Sequence, residues 1–307
     1  MKNIGVSVYE KIKKASRASG VETSVMLRRY VQERLLYRIA VSRFSEDFCL
    51  KGGILLSAYN GGDLLRPTED IDLNGFAGDG DVQKLEAVLR EILSGDLTVD
   101  DGVTFDLSTM RVLKDRTGIV PGGKVSINAM LHTAKVPLKV DVGFGNVITP
   151  DARPMEIPTL LAGDVPRPII KSYPLETVIA EKLHAMAQFG FENTRVKDFF
   201  DILMLSRIRE FEGQLVVDAI KKTFAHQDRV LPEEIACLSQ GYARRGAGKW
   251  DDLVESTGID PIGFPEAMTE IMEFLGPLIE AARDSIPSPE TWQPGTGWYA
   301  QPQPVLS

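Results

Sequence analysis

The sequence predicts a mixed α+β/α/β protein that opens on helices and ends in a helical domain. Three observations predict it. Residues 7–44 carry apolar side chains at four-residue spacing, residues 48–144 carry short β-branched runs with period-two alternation, and helical periodicity returns after residue 174. At 307 residues, with 43% hydrophobic and 25% charged side chains, the chain is of ordinary globular composition and can bury a sizeable core. The expected division is N-terminal basic helices over 1–45, an α/β core over 46–165 and a helical C-terminal domain over 166–307.

In chain order, helices are expected over 7–19 and 23–44, broken at Gly20. In the second, Leu27, Val31, Leu35 and Ile39 form an apolar stripe, Thr23 or Ser24 can cap the start, and Arg34 and Arg38 share another face. Phe48–Leu50 reads as a short strand, and Gly52-Gly53 opens a helix through Tyr59. A polar loop, Asn60–Pro67, leads to a strand over 70–73. Residues 82–93 form an amphipathic helix with Asp81 as its cap. Strands are expected at 103–107, 124–131 and 136–143. Residues 149–168, with five prolines, read as a linker or strap. Pro174 suits the first turn of a helix that Gly190 ends. Further helices fit 195–206, 213–225, 232–241 and 264–284, and the tail after Ser285 reads as irregular.

Charge is distributed unevenly. Residues 1–45 hold ten Lys/Arg against Glu10, Glu22 and Glu33, a local net of +7, so the remainder carries −15 of the total −8. A basic arm on an acidic body can bind a polyanion, and can equally be a solvated helix face or a dock for an acidic partner. Two distant cysteines and three scattered histidines leave no disulfide framework and no zinc spacing. No apolar run approaches the roughly eighteen residues a bilayer span needs, and the N-terminus lacks a secretory signal. A cytoplasmic protein without a membrane partner is expected.

The strongest local signal is Arg66-Pro-Thr-Glu-Asp-Ile-Asp-Leu73. On a strand, Asp70 and Asp72 project from one face while Ile71 and Leu73 enter a core. Two such carboxylates repel unless a cation compensates, and oxygen-only ligation favours magnesium. Before them, Lys51-Gly-Gly53 joins a strand to a helix, where backbone N–H groups and the helix dipole suit a phosphate. In Val136–Gly143 the valines and Leu138 share one face, Lys139 and Asp141 the other. Asp141 therefore either completes the metal site, takes the proton of an attacking hydroxyl, or lies on the solvent face of an edge strand. Lys182, in Glu176–Ala185, is a candidate for gripping NTP phosphates. Asp198 and Asp201 share a helix face in Arg195–Asp201. His184 reads as an interfacial side chain rather than a base. Arg66 is a candidate phosphate contact or a loop-to-body salt bridge.

Together these pieces resemble the AbiEii nucleotidyltransferase family, the toxin half of AbiE-type toxin–antitoxin systems, which includes the MenT toxins. The matching stretches are LKGGILLSAYNGGDLLRPTEDIDL (50–73), LKVDVGFG (138–145), YPLETVIAEKLHAM (173–186) and NTRVKDFFDILML (193–205). The leading helix through RYVQERLLYRI (29–39) is similar too, and the resemblance spans roughly residues 5–225. It implies a nucleotidyltransferase-fold mixed sheet followed by a helical domain, with the nucleotide in a cleft between them. It maps the double glycine to Gly52 and Gly53, the metal carboxylates to Asp70 and Asp72 with Asp141 by context, the helical-domain lysine to Lys182 and the K-D-x-x-D to Lys197, Asp198 and Asp201.

The implied activity is a magnesium- or manganese-dependent transfer of NMP from an NTP (the EC 2.7.7 class). The implied acceptor is the tRNA 3′ end, and the implied partner an antitoxin of winged-helix type. In that mechanism Asp70, Asp72 and Asp141 hold the metals. Lys51, Gly52, Gly53, Arg66, Thr68 and Lys182 bind the nucleotide, while Asp198 or Asp201 orients the lysine or nucleoside. The basic helix at 28–38 receives the RNA. The rival readings are a small-molecule or protein nucleotidyltransferase, and a catalytically idle nucleotide-binding module.

Overall fold

The computed structural model describes residues 4–63, 65–75, 81–115 and 121–299. The chain folds as two compact units. Unit 1 takes the described residues of 4–63, 68–146 and 152–173; unit 2 takes those of 65–67, 147–151 and 174–299. The described residues of 4–45 lie in unit 1, and Tyr173 is the last residue of that unit along the chain.

Unit 1 begins with α1 (Ile4–Ser19) and α2 (Thr23–Val41), separated at Gly20, whose φ of +73° suits a residue without Cβ. The Leu27, Val31, Leu35 and Ile39 stripe is buried as expected. Neither expected cap forms: Glu22 holds the cap position without a side-chain bond, and Thr23 Oγ1 pairs with Ser16 Oγ at 2.9 Å. There follow β1 (Phe48–Lys51), α3 (Gly52–Tyr59), β2 (Asp70–Gly75), α4 (Val82–Ser94), β3 (Val103–Asp115), β4 (Gly122–Leu131), β5 (Ala134–Phe144), β6 (Arg153–Glu156) and β7 (Ile169–Ser172). Asp81 caps α4 by accepting from the Gln83 amide at 2.8 Å, as expected.

The seven strands form one mixed sheet in the order β3-β4-β5-β2-β1-β7-β6, with β2–β5 and β1–β7 parallel and the other neighbours antiparallel. β3 runs well past the expected residue 107. A register shift between Asp106 and Arg111 breaks the alternation there and hides the second half of the strand. The proline-rich strap contains β6, and β7 follows it directly. Pro154 is tolerated because β6 lies at the sheet edge, where a missing donor costs least.

Unit 2 holds α5 (Leu175–Phe189), α6 (Val196–Ile208), β8 (Phe211–Glu212), α7 (Gly213–His226), α8 (Gln240–Thr257), α9 (Phe264–Asp284), β9 (Thr291–Gln293) and β10 (Gly297–Tyr299). Gly190, at φ +49°, ends α5. The helix expected over 232–241 is instead irregular chain and a single 3₁₀ turn at Ala236–Leu238, and α8 follows it. Gly241, Gly246 and Gly248 lower the helix propensity of that stretch. Burial of Tyr242, Ala243, Trp250, Leu253 and Val254 supplies the stability instead. The tail is not irregular through residue 299. β9 and β10 form a hairpin on β8, with Trp292 edge-on to Phe274 at 5.0 Å and Trp298 stacked on it at 5.7 Å. The rest of that tail, 300–307, lies outside the described residues.

Candidate functional site

The register of the central strands assembles a row of charge across one face of unit 1. Lys124 of β4 pairs with Asp141 of β5, Asp141 with Asp72 of β2, and Asp72 with Lys51 of β1. Register partners share a sheet face, so two carboxylates stand side by side between two lysines. Asp70 lies two residues back on the same face, while Ile71 and Leu73 are fully buried on the other. Val136, Leu138, Val140 and Val142 are buried too, which fixes Asp141 on the charged face. Lys124 escaped sequence reasoning. Its strand was legible, but its partner is set by register, which no local pattern encodes.

The double glycine closes on this row. Gly52 has φ +72°, and a Cβ built on it would fall 1.9 Å from Asp72 Oδ2. A Cβ on Gly53 would fall 2.7 Å from Thr68 Oγ1. Only glycine lets the start of α3 pack so near the carboxylate and the hydroxyl. Thr68 also lines a pocket of about 500 Å³, open mouth included, with Arg28, Arg29, Gln32, Glu33 and Ile54. Burial pushes the Glu33 carboxyl up to about 7, against the pull of Arg29 and the Leu160 amide.

The carboxylates fit a divalent cation. Asp70 Oδ1 is buried without a hydrogen-bond partner, which leaves a buried acceptor uncompensated. Burial, and then the charge of Asp70, raise the Asp141 carboxyl above the usual range, the signature of acids crowded on one face. All the donors are hard oxygens, as magnesium prefers. Among the described residues no group of three or more His, Cys, Asp or Glu side chains is arranged so that it could hold a metal ion.

Unit 2 contains a second constellation. Lys182 of α5 donates to Asp198 Oδ1 at 2.8 Å and Asp201 Oδ2 at 2.7 Å, both on α6. Arg66 donates to both oxygens of Asp201, at 2.7 and 2.8 Å, and Arg195 to Asp198 Oδ2 at 2.6 Å. These five side chains hold three cations and two carboxylates, one positive charge in excess. Burial alone would raise Asp198, but Lys182 and Arg195 hold it down to about 2. Burial alone would lower Lys182, but Asp198 and Asp201 outweigh it and raise it. Arg66 therefore makes the loop-to-body salt bridge. Lys197, matched by resemblance to the same motif, is exposed. His184, expected as an interfacial side chain, is buried edge-on to Phe224 at 5.0 Å.

Two of the four arginines of the basic helix, Arg34 and Arg38, are buried, while Arg28 and Arg29 stay partly exposed in ion pairs. Arg34 is fully buried and donates to the Pro166 carbonyl at 2.9 Å. Arg38 is buried in a bidentate pair with Asp101, at 2.8 and 3.1 Å. Arg28 pairs with Glu69, and Arg29 with Glu33 and the Gly62 carbonyl. Much of the local charge read as a polyanion arm is spent inside unit 1.

A model of the family described as "Nucleotidyl transferase AbiEii toxin, Type IV TA system" matches residues 34–274. Among solved structures, the MenT4 nucleotidyltransferase toxin of Mycobacterium tuberculosis is 15% identical with a TM-score of 0.50, over 89% of this chain and 99% of that one. JHP933 of Helicobacter pylori is 17% identical with a TM-score of 0.48, over 85% and 92%. At 15% identity the MenT4 likeness speaks to fold. No curated protein matches the chain.

Proposed function

The chain belongs to the AbiEii nucleotidyltransferase toxin family, and on that premise we propose that it transfers NMP from an NTP to the 3′ hydroxyl of tRNA, as the toxin of a toxin–antitoxin pair. The observation that carries this reading is the closure of Gly52 and Gly53 on the row of Asp72 and Asp141, with Asp70 Oδ1 unpartnered beside it. An anion-accepting turn and an acidic strand face are the two surfaces that joining a triphosphate to a divalent cation requires.

Asp70, Asp72 and Asp141 would hold Mg²⁺ or Mn²⁺, which supplies charge neutralisation at the phosphates and acidifies the acceptor hydroxyl. The backbone N–H groups at Gly52 and Gly53 would bind phosphate oxygens, flanked by Lys51 and Thr68. Asp141, its basicity raised by burial and by Asp70, is the group suited to receive the hydroxyl proton. The acceptor oxygen bonds to the α-phosphorus as the bond to the bridging oxygen breaks, and pyrophosphate leaves with that electron pair. In unit 2, the excess positive charge around Lys182 suits an anionic ligand, with Asp198 and Asp201 fixing the ammonium. A cognate antitoxin would hold the toxin idle. Among the described residues no helix is long and apolar enough to cross a membrane.

The test incubates the purified protein with each α-labelled NTP, Mg²⁺ and total RNA. Label should enter a tRNA-sized band, and Asp72→Asn should abolish it. Label in no RNA, or label that survives Asp72→Asn, overturns the reading; label in a small-molecule or protein fraction redirects it to those acceptors.

A further inference from the structure

Arg34 and Arg38 of α2 are buried, and unit 2 offers a separate cationic surface. Phe191, in the turn after α5, is 41% exposed, with Tyr242 edge-on to its ring at 6.0 Å. The Arg245 guanidinium of α8 lies 3.8 Å from its ring centroid and also donates to the Phe191 carbonyl. Arg195, whose side chain is 58% exposed, leaves the same loop region. Tyr242, one turn from Arg245, fastens that loop by donating to the Asn193 carbonyl at 2.6 Å.

The charges of α8 are placed against the helix's own interest. Arg244 and Arg245 are exposed in its N-terminal half and Lys249 just past its middle, while Asp251, Asp252 and Glu255 follow, the reverse of the order the helix dipole favours. Arg245 and Lys249 are like charges four residues apart, an unfavourable pair. Gly248 is exposed with nothing within 4 Å of a built Cβ, so no packing demands its smallness. The acid nearest Arg245 is Glu192, at 4.0 Å and 89% exposed, too solvated to neutralise the patch. A helix that keeps three cations and a bare glycine at a local cost to itself keeps them for an external polyanion.

We infer that Phe191 and the cationic face of α8 form a binding platform for single-stranded nucleic acid. Phe191 and the flat guanidinium of Arg245 stack on a base, and Arg244 and Lys249 track the phosphates. Base stacking on an aromatic with Arg beside it is the recurrent way to hold an unpaired strand without reading its sequence. An acidic protein would need the charge but not the exposed ring. The inference deepens the nucleotidyltransferase reading and rests on it for the identity of the strand as the RNA acceptor; the binding surface itself stands on unit 2 alone.

The experiment measures fluorescence anisotropy of a 5′-fluorescein single-stranded RNA 12-mer with the full chain in EDTA, across a salt series. Wild type and Asp72→Asn should bind equally. Phe191→Ala should weaken binding about fivefold or more. Arg244→Glu/Arg245→Glu/Lys249→Glu should abolish most of the affinity and flatten the log–log salt slope by about 1.4, the loss of the Arg244 and Lys249 phosphate contacts on a single strand. Because Arg245 also holds the Phe191 loop, Phe191→Ala and Lys249→Glu, checked by an unchanged melting temperature, keep the test independent of folding. Affinity within twofold of wild type in both overturns the platform, including in favour of a protein partner. If those variants bind RNA normally while wild type still labels it, the platform falls and the nucleotidyltransferase reading stands; weakened binding with no labelling sinks the reading and leaves the platform.

Discussion

The contact between Gly52 and Asp72 gives the sharpest test of the site. Replacing Gly52 with Ala places a methyl 1.9 Å from Asp72 Oδ2, 2.5 Å from its Cγ and 2.7 Å from its Cβ, at a φ of +72°. The backbone term is about 1–2 kcal/mol for an L-residue held left-handed. Overpacking against the half-buried Asp72 adds about 1–3 kcal/mol, so Gly52→Ala should destabilise unit 1 by about 2–5 kcal/mol. The two terms separate in a double-mutant cycle. In an Asp72→Gly background all three clashing atoms are gone, and the cost of Gly52→Ala should fall to the backbone term alone. Urea unfolding followed by far-UV circular dichroism measures both backgrounds. A coupling of about 1–3 kcal/mol is expected. A coupling below about 0.5 kcal/mol refutes the claim that the turn and the carboxylate are in contact, and with it the structural case for the site.

Three further outcomes follow from the same geometry. Lys182→Met leaves Asp198 and Asp201 without their shared cation and should destabilise unit 2 by about 3–5 kcal/mol; tryptophan fluorescence reports it, since Trp250, Trp292 and Trp298 all lie in that unit, and an unchanged urea midpoint would contradict it. Glu33 has a folded-state value of about 7 against an ordinary 4.5; the native state holds the proton across that window, so stability falls as pH rises from 4.5 through 7, by on the order of 3 kcal/mol. Glu33→Gln should remove that slope, and equal slopes in the two proteins would refute it. Calorimetric titration of Mg²⁺ in the presence of a non-hydrolysable NTP should weaken at least about tenfold in Asp70→Asn; undiminished affinity would mean that Asp70 is not a ligand.

How much of this was legible in the sequence depended on how local each signal was. β1, α3 and the face carrying Asp70 and Asp72 were legible because glycine pairs and period-two alternation act over a few residues. The partnership of Asp198 and Asp201 was legible as a shared helix face, but Lys182 was joined to them only by resemblance, because it sits on another helix. β6 and α8 were not legible. Pro154 and three glycines oppose strand and helix locally, and tertiary packing at the sheet edge and around Trp250 overrides them. Lys124 was invisible as a site residue, since only register pairs it with Asp141.

Charge is the clearest case of the limit, because a partner's distance along the chain hides it. Arg38 finds Asp101 across 63 residues, and Arg34 finds the Pro166 carbonyl across 132, so the basic count over residues 1–45 says nothing of which cations remain for a ligand. The two acid pairs divide by the same rule. Asp198 and Asp201 are each met by two cations within 2.8 Å, so their charge is already answered and Lys182 and Arg66 are fixed in place. Asp70 Oδ1 is buried with no partner, beside an Asp141 that its charge disfavours ionising. The buried, unanswered Asp70 Oδ1, rather than the D-x-D spacing itself, is what supports the proposal of a cation on this face of β2 and β5.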